Sequence, residues 1–579
     1  MHVVATAGHV DHGKSSLVRA LTGRDPDRYA EEQRRGLTLD LGFAWTTLPS
    51  GAQLAFVDVP GHERFVATML AGVGPVPAVV LVVAADAGWQ PQSEEHLAAI
   101  DALGARHGLL VVTKADLADP QPVIDQVGDR LAGTTLAGIP TVAVSSTTGA
   151  GLDELREALD ALVASLPPPD SAAPVRLWVD RSFTIKGAGT VVTGTLRAGT
   201  IEVGGELVVV PGGRRVTVRG LQSHERAEPR LTPVSRAALN LRGVDRDAVG
   251  RGDALVAPGA WTLTTVVDVL LDPDAVVPAE PIVHVGSAAV SARIRPLGPG
   301  AVRLRLASAL PLHVGDRLLL RDPGTRAVTP VDVADVSPLP LTRRGDAGRL
   351  AASLRAEPTA AGAVRRRGAV PAVSLVAAGY ADADAAGERV GSWRVDPSQL
   401  ATWRENVLDQ LSRADGDAEI GLAGVAAEEL RAKAGVPDLV VLGHLLAGDD
   451  RWEVLDGRVR PAGTPTPELP GLAALLARLD ADPLDAPSAE DLDIDPAHLA
   501  YGVRTGAVLH LGRGVYVSPA APDLALATLA ELPQPFTMSD ARQALGVSRR
   551  VGVPLLEHLD TMRRTRRVDG THRQVVPRG

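Results

Sequence analysis

The chain has 579 residues, a net charge of −10, 45% hydrophobic but only 3% aromatic residues, and no cysteine. This length exceeds what one core holds and implies roughly three to six domains, with cores built from Leu, Val and Ala. The missing cysteines exclude disulfides, zinc ribbons and thiol catalysis, and the acidic balance argues against nucleic acid as a partner of the whole surface.

The first residues, HVVATAG, read as a strand running into a glycine loop, not as a charged-then-apolar leader. No apolar run reaches the ~18 residues of a membrane span, so a cytoplasmic protein without a membrane partner is expected. Across residues 1–170, VVATAG, LAFVDVPG, AVVLVVAAD, LLVVTKAD and TVAVSS read as buried strands separated by helical stretches. The clearest helix carries Leu152, Leu155, Leu159, Leu162, Val163 and Leu166 on one face, with acids in its first turn. This alternation predicts a doubly wound α/β domain, closed by the stiff run Pro167-Pro168-Pro169.

Residues 171–340 turn β-rich, with runs such as TVVTGTL, ELVVV, AVRLRLA and DRLLLRD spaced by Gly, Pro and Asp turns. Two β-barrels are expected, 171–258 and 259–340, divided near Ala257-Pro258-Gly259. Residues 341–579 alternate helical runs with short β pairs such as VLHLGRGVYV. They read as three or four tandem α+β units of about 55 to 60 residues, with winged helices the natural candidate. The last, ~521–579, opens on a capping motif, Thr537-Met-Ser-Asp540, before ARQALGV. A second helical run follows, in which Pro554 implies a late start or a kink. From Ala541 onward there are nine Arg against Glu557, Asp560 and Asp569, a net of +6. Such a basic end can hold RNA on an acidic protein. Arg549, Arg550, Arg566, Arg567 and Arg573 are the candidate contacts, against the plainer reading of a solvated basic face.

Chemistry concentrates at the first strand. Gly8-His-Val-Asp-His-Gly13-Lys14-Ser15 fits G-x-x-x-x-G-K-[ST]. Backbone amides there can wrap phosphates, Lys14 can reach the terminal phosphates and Ser15 can ligate Mg2+. Gly8, His9, Val10, Asp11, His12, Gly13, Lys14, Ser15 and Ser16 are therefore expected to contact nucleotide. Asp58, in DVPGH with Gly61 and His62, follows another strand and can hold magnesium through water. Thr38, in RRGLT, can cap the ion and the γ-phosphate. Thr113-Lys114-Ala-Asp116 ends a further strand, where a carboxylate can accept from guanine N1 and N2, and Ser145-Ser146 can offer amides to guanine O6. Any one of these could be a turn or a cap, but all four come in order at the C-terminal edges of strands. His224, His284 and His313 lack metal spacing, so no zinc is assigned, and His9 and His12 are read as structural.

GHVDHGKS, RGLT, DVPGH and TKAD together resemble the GTPase domain of the elongation-factor Tu family. The resemblance implies GTP and Mg2+ as cofactors, the ribosome as partner, a monomer, and His62 as the residue that orients the attacking water. It also implies an apolar gate of Val10 and Leu37 that holds His62 back. One departure is Thr113, where the family usually has Asn. DRSFTIKGAGTVVTGTLRAGTIEVGGEL is similar to the barrel that holds the aminoacyl end of tRNA in this family. A general elongation factor would stop near residue 400, and the extension resembles that of the bacterial selenocysteine-specific factors. These deliver selenocysteinyl-tRNA at recoded UGA codons, guided by an mRNA hairpin on the last domain.

A selenol is a stronger acid than a thiol, whose pKa is about 8.5, so the aminoacyl group would arrive as an anion. Asp180, Arg181 and Arg236 match positions the family uses to sense it, with Asp180 steadying an arginine; the plainer reading pairs them with one another. Two alternatives remain open at this point: a GTPase for another tRNA, such as an initiation factor, and a GTPase-switched nucleic-acid-binding regulator.

Overall fold

The structure is a computed structural model and describes all residues except 27–37, 39, 63–64, 186, 188, 416–423, 456, 464–468, 488–493 and 577–579. The chain forms two compact units, 1–387 and 388–579.

In the first unit, β1 (His2–Ala7), β3 (Gln53–Asp58), β4 (Ala78–Ala84) and β5 (Gly108–Thr113) are buried almost end to end. Strands covered on both faces pair in parallel. The sheet runs β2-β3-β1-β4-β5-β6, with β2 (Gly42–Thr47) as an antiparallel edge and β6 (Thr141–Ala143) at the other end. Helices α1 (Lys14–Thr22), α2 (Val66–Val73), α3 (Pro91–Ala102), α4 (Gln121–Leu131) and α5 (Leu152–Ser165) follow the strands. The chain order reverses at β1, which lies between β3 and β4, so a crevice opens at the carboxyl ends of these strands. Leu152, Leu155, Leu159, Leu162 and Val163 are the buried face of α5, as their spacing predicts.

The next segment is an eight-stranded antiparallel sheet, of which β8 (Arg181–Ile185), β9 (Gly189–Leu196), β12 (Arg214–Ser223) and β15 (Ser235–Arg242) matter for the site. Its pairing path ends on β7 (Arg176–Trp178) and β8 without closing, whereas the six strands from β17 (Thr262–Leu270) to β22 (Val328–Asp335) do close into a barrel. The expected pair of barrels is thus one closed barrel and one open-ended sheet. Inside the barrel region Arg303 donates to Asp268 at 2.7 and 2.9 Å, with both side chains buried. Breaking such a pair from one side strands a buried charge. Helices α6 (Asp346–Ala356), α7 (Ala360–Arg367) and α8 (Ala372–Ala377) bury Leu350, Leu354, Val364 and Leu375 against barrel residues.

The second unit repeats one motif. Strand Val425–Ala426, helices Ala427–Ala434 and Leu439–Leu446, then the hairpin Trp452–Leu455 and Arg458–Pro461 form one copy. Strand Phe536–Thr537, helices Met538–Leu545 and Arg549–Thr561, then Thr565–Arg567 and His572–Val575 form another. In both, the first strand pairs with the last. This is winged-helix topology. Thr537 and Asp540 make the reciprocal capping box. The recognition helix starts at Arg549 and runs through Pro554, so the expected late start is corrected. Pro554 sits in the second turn, where it forfeits a single helical hydrogen bond, and its ring is buried in the core.

Candidate functional site

The phosphate loop joins β1 to α1. Gly8 has φ 138°, Asp11 φ 63° and Gly13 φ 79°, so the loop turns through conformations that favour glycine. At Gly8 a Cβ would stand 2.1 Å from the Val82 carbonyl oxygen. The Lys14 ammonium donates to the carbonyls of Gly8 at 3.0 Å and His9 at 2.7 Å, which places it in the concavity of the loop. Gly61 closes the other side: a Cβ there would lie 2.5 Å from Lys14 Nζ and 2.6 Å from the Val10 nitrogen. Only a bare backbone fits this cradle, as a terminal phosphate requires.

Three oxygens meet beside it. Ser15 Oγ donates to Asp58 at 2.6 Å and lies 3.0 Å from Thr38 Oγ1, and Thr6 donates to the other Asp58 oxygen at 2.6 Å. Two hydroxyls and one buried carboxylate form a hard-oxygen set that suits Mg2+ with phosphate and water completing the shell. His62, at the crevice mouth, meets Phe65 edge-on at 6.0 Å. The Leu37 half of the expected gate lies outside the described residues.

Two residues outside the motifs brace the loop. The Gly8 amide donates to Nδ1 of His96 on α3 at 2.9 Å. Burial, aided by Lys14, pushes the His96 imidazole down to about 3, so it stays neutral and accepts. His12 sets its Nδ1 3.3 Å from the Val82 carbonyl and is likewise pushed to about 4, chiefly by burial. Thr113, where the related family carries Asn, donates its hydroxyl to the His12 carbonyl at 2.7 Å. The shorter side chain therefore still ties the base-side strand to the phosphate loop. Beyond it, Lys114 pairs with Asp86 at 3.1 Å, Asp116 is exposed at the crevice edge, and Ser145 is buried at the end of the neighbouring strand. Ser146 follows, partly exposed.

The second constellation stands on the open-ended sheet. Both oxygens of Asp180 accept from the guanidinium of Arg236, one of them at 2.7 Å, and Thr193 donates to Asp180 at 2.7 Å. Arg236 lies flat on Phe43, 3.7 Å from the ring centre. It is thus fully engaged and is not among the residues lining the adjacent cavity of about 750 Å3. Asp180 thus steadies Arg236, together with Thr193 and Phe43, an arrangement common to the expected support by Asp180 and to the plainer reading of mutual pairing.

Arg181 and Arg251 do line that cavity. Arg181 donates to the Leu41 carbonyl and lies 3.4 Å from Asp40, while Arg251 donates to Asp40 and, at 2.9 Å, to the Asp180 carbonyl. Burial raises the Asp40 carboxyl, but the hydrogen bond and charge of Arg251 outweigh it and hold the group below the usual carboxylate range. The sequence reading missed Asp40, Phe43, Thr193, His96 and Arg251, none of which belongs to a spaced motif.

In the last winged helix, Arg549, Arg566 and Arg567 are exposed, whereas Arg573 is buried and donates to Asp560 at 3.0 Å. Arg550 is exposed as a residue but spends one nitrogen on the Ala486 carbonyl. Arg573 therefore belongs to the core and not to the basic face. Among the described residues no helix is long and apolar enough to cross a membrane.

Comparison with known proteins agrees with this layout. Residues 1–165 match the Elongation factor Tu GTP binding domain, and residues 527–574 match the family described as Elongation factor SelB, winged helix. The chain is 46% identical over 259 residues to the selenocysteine-specific elongation factor of Desulfomicrobium baculatum, covering 44% of this chain and 41% of that protein. It is 37% identical over 332 residues to the protein of the same name from Escherichia coli strain K12, covering 56% and 53%. The chain thus spans about half the length of the curated relatives it matches. A crystal structure of a bacterial selenocysteine-specific elongation factor EF-Sec superposes over 100% of both chains with a TM-score of 0.75 at 25% identity. The chain thus carries an elongation factor Tu GTP-binding domain at one end and a SelB-type winged helix at the other, and it is similar to selenocysteine-specific elongation factors.

Proposed function

We propose that the chain is a GTPase that carries selenocysteinyl-tRNA to the ribosome at recoded UGA codons, guided by an mRNA hairpin held on its last winged helix. The observation that supports this reading is the cavity beside the nucleotide domain at whose edge Arg181 and Arg251 share the one carboxylate of Asp40, since guanidiniums there suit a selenolate and give serine no matching gain.

In this reading Lys14 and the amides of the phosphate loop hold the β- and γ-phosphates. Ser15, Thr38 and Asp58 hold Mg2+, which when bound neutralises charge on the phosphate oxygens. Asp116 reads guanine N1 and N2, and Ser145 and Ser146 present amides to O6. His62 orients the attacking water once ribosome contact brings it to the γ-phosphate, a gain made in the transition state and not in the ground state. Arg181 meets the aminoacyl anion, with Asp180 and Arg236 behind it. Arg549, Arg566 and Arg567 contact the hairpin phosphates.

The test is GTP hydrolysis on ribosomes programmed with a UGA codon, with and without a following hairpin. The reading requires fast turnover only with selenocysteinyl-tRNA and the hairpin message together. Equal turnover with seryl-tRNA, or with a message lacking the hairpin, would contradict it.

A further inference from the structure

We infer that Arg251 is a second specificity-determining arginine of the aminoacyl cavity, and that Asp40 couples it, with Arg181, to the magnesium side of the nucleotide site. This rests on the reading of the cavity as the selenocysteinyl pocket.

The charges around the cavity can be assigned one by one. Asp180 is taken by Arg236, and Asp247 by Arg246 at 3.0 Å. Asp253 accepts from the Gly250 amide at 2.8 Å, and burial raises its carboxyl above the usual value. Arg181 and Arg251 remain, two guanidiniums that share the single carboxylate of Asp40. With Arg236 behind the wall, guanidiniums and carboxylates around the cavity number four each, but at this edge two guanidiniums share one carboxylate, and an entering anion would meet that local excess. Each guanidinium is anchored along one edge, Arg181 through the Leu41 carbonyl and Arg251 through the Asp180 carbonyl and Asp40. Both line the cavity.

Apart from the Asp180 carbonyl, the anchors come from one stretch of the GTPase domain. Asp40 and Leu41 follow Thr38 by two and three residues, and Phe43 supports both Arg236 and Arg181, at 3.7 and 5.0 Å. Thr38 Oγ1 stands 3.0 Å from Ser15 Oγ in the oxygen set that suits magnesium. Two residues of chain span at most about 7 Å, so Asp40 can stay on its arginines only while Thr38 remains within that reach of it, and a departure of Thr38 beyond that reach pulls Asp40 away. The nucleotide state thereby reaches the residues that sense the amino acid.

The experiment compares dissociation constants for selenocysteinyl- and seryl-tRNA on full-length protein loaded with a non-hydrolysable GTP analogue. The variants are wild type, Arg181→Ala, Arg251→Ala, Arg251→Lys and Asp40→Asn, plus the Arg251→Ala/Asp40→Asn pair. Affinity for a fluorescent GDP serves as the control for folding. Arg251→Ala is expected to weaken selenocysteinyl-tRNA about tenfold and seryl-tRNA less than twofold. Arg251→Lys, which keeps the charge but cannot bridge two anchors, should fall between and carries the test if the alanine variant does not fold. In the Asp40→Asn background the loss from Arg251→Ala should shrink severalfold. If Arg181→Ala is selective while Arg251→Ala weakens both tRNAs equally or neither, the role of Arg251 is overturned. Full additivity of Arg251→Ala and Asp40→Asn overturns the coupling. If Arg181→Ala is itself unselective, it is the pocket reading that fails.

Discussion

The phosphate cradle is shaped mainly by backbone, whereas the cavity proposed for the aminoacyl group is built from side chains gathered from distant segments. Gly8, Gly13 and Gly61 shape the phosphate cradle because no side chain fits there, and the ligating groups follow strand ends in order. The cavity instead needs Arg181 from β8, Arg251 from a turn, Asp180 before β8, and Asp40 from the GTPase domain. The difference teaches that the first site should fail all at once when its geometry is disturbed. The second should lose selectivity in separable steps.

The largest expected effect lies at the crevice mouth. His62→Ala should leave GTP affinity nearly intact and slow ribosome-stimulated hydrolysis by roughly two orders of magnitude or more, because the lost interaction belongs to the transition state. Single-turnover hydrolysis with and without ribosomes measures this, and a wild-type stimulated rate would remove His62 from the mechanism. In the cavity, Arg181→Ala should weaken selenocysteinyl-tRNA about tenfold to a hundredfold and leave seryl-tRNA almost unchanged. An equal loss for both would make Arg181 a general tRNA or fold contact.

His96 sharpens the contrast from the other side. His96→Leu leaves the Gly8 amide buried without an acceptor, at about 1–3 kcal/mol, and should weaken GDP binding by roughly fivefold to a hundredfold. His96→Asn, whose Oδ1 falls near the place of Nδ1, should recover most of it. Failure of the asparagine variant to outperform leucine would show that volume matters and the hydrogen bond does not.

A smaller effect concerns pH. The folded His96 imidazole stays neutral down to about 3, while an unfolded histidine takes a proton near 6.5. The contribution to stability is therefore complete above the unfolded value and is lost as pH falls below it, by about 1.4 kcal/mol per pH unit. Denaturant midpoints of the wild type should drop between pH 7 and pH 5, and His96→Asn should flatten part of that slope. A midpoint independent of pH in this range would contradict the buried neutral state. The smallest effect lies in the last winged helix. Arg566→Ala or Arg567→Ala should each lower the salt dependence of hairpin binding by about one counterion without changing the melting temperature. Arg573→Ala should instead lower the melting temperature, because it removes a buried side chain and one of the donors to Asp560, which keeps Thr565 and Arg567.

The nucleotide fold was readable from sequence because strand burial, glycine placement and helix periodicity are local signals. The capping box at Thr537 was readable for the same reason. Of the partners of Arg236, Asp180 was legible through the family resemblance, but Thr193 and Phe43 were not, because they come from another strand and another domain and nothing local marks such a meeting. His96 escaped because an amphipathic helix carries many buried residues, and only the tertiary position reveals an acceptor aimed at Gly8. Arg573 looked like its basic neighbours, since charge counting cannot see that alternate strand positions point inward.

The most direct test of the central claim is a pair of dissociation constants for the wild-type protein loaded with a GTP analogue, one with selenocysteinyl-tRNA and one with seryl-tRNA. A preference for selenocysteinyl-tRNA of at least about a hundredfold, or roughly 2.7 kcal/mol, is predicted at neutral pH. That preference should shrink as the pH is lowered enough to protonate the selenol. Equal affinity for the two tRNAs, or a preference that does not respond to pH, would contradict the account.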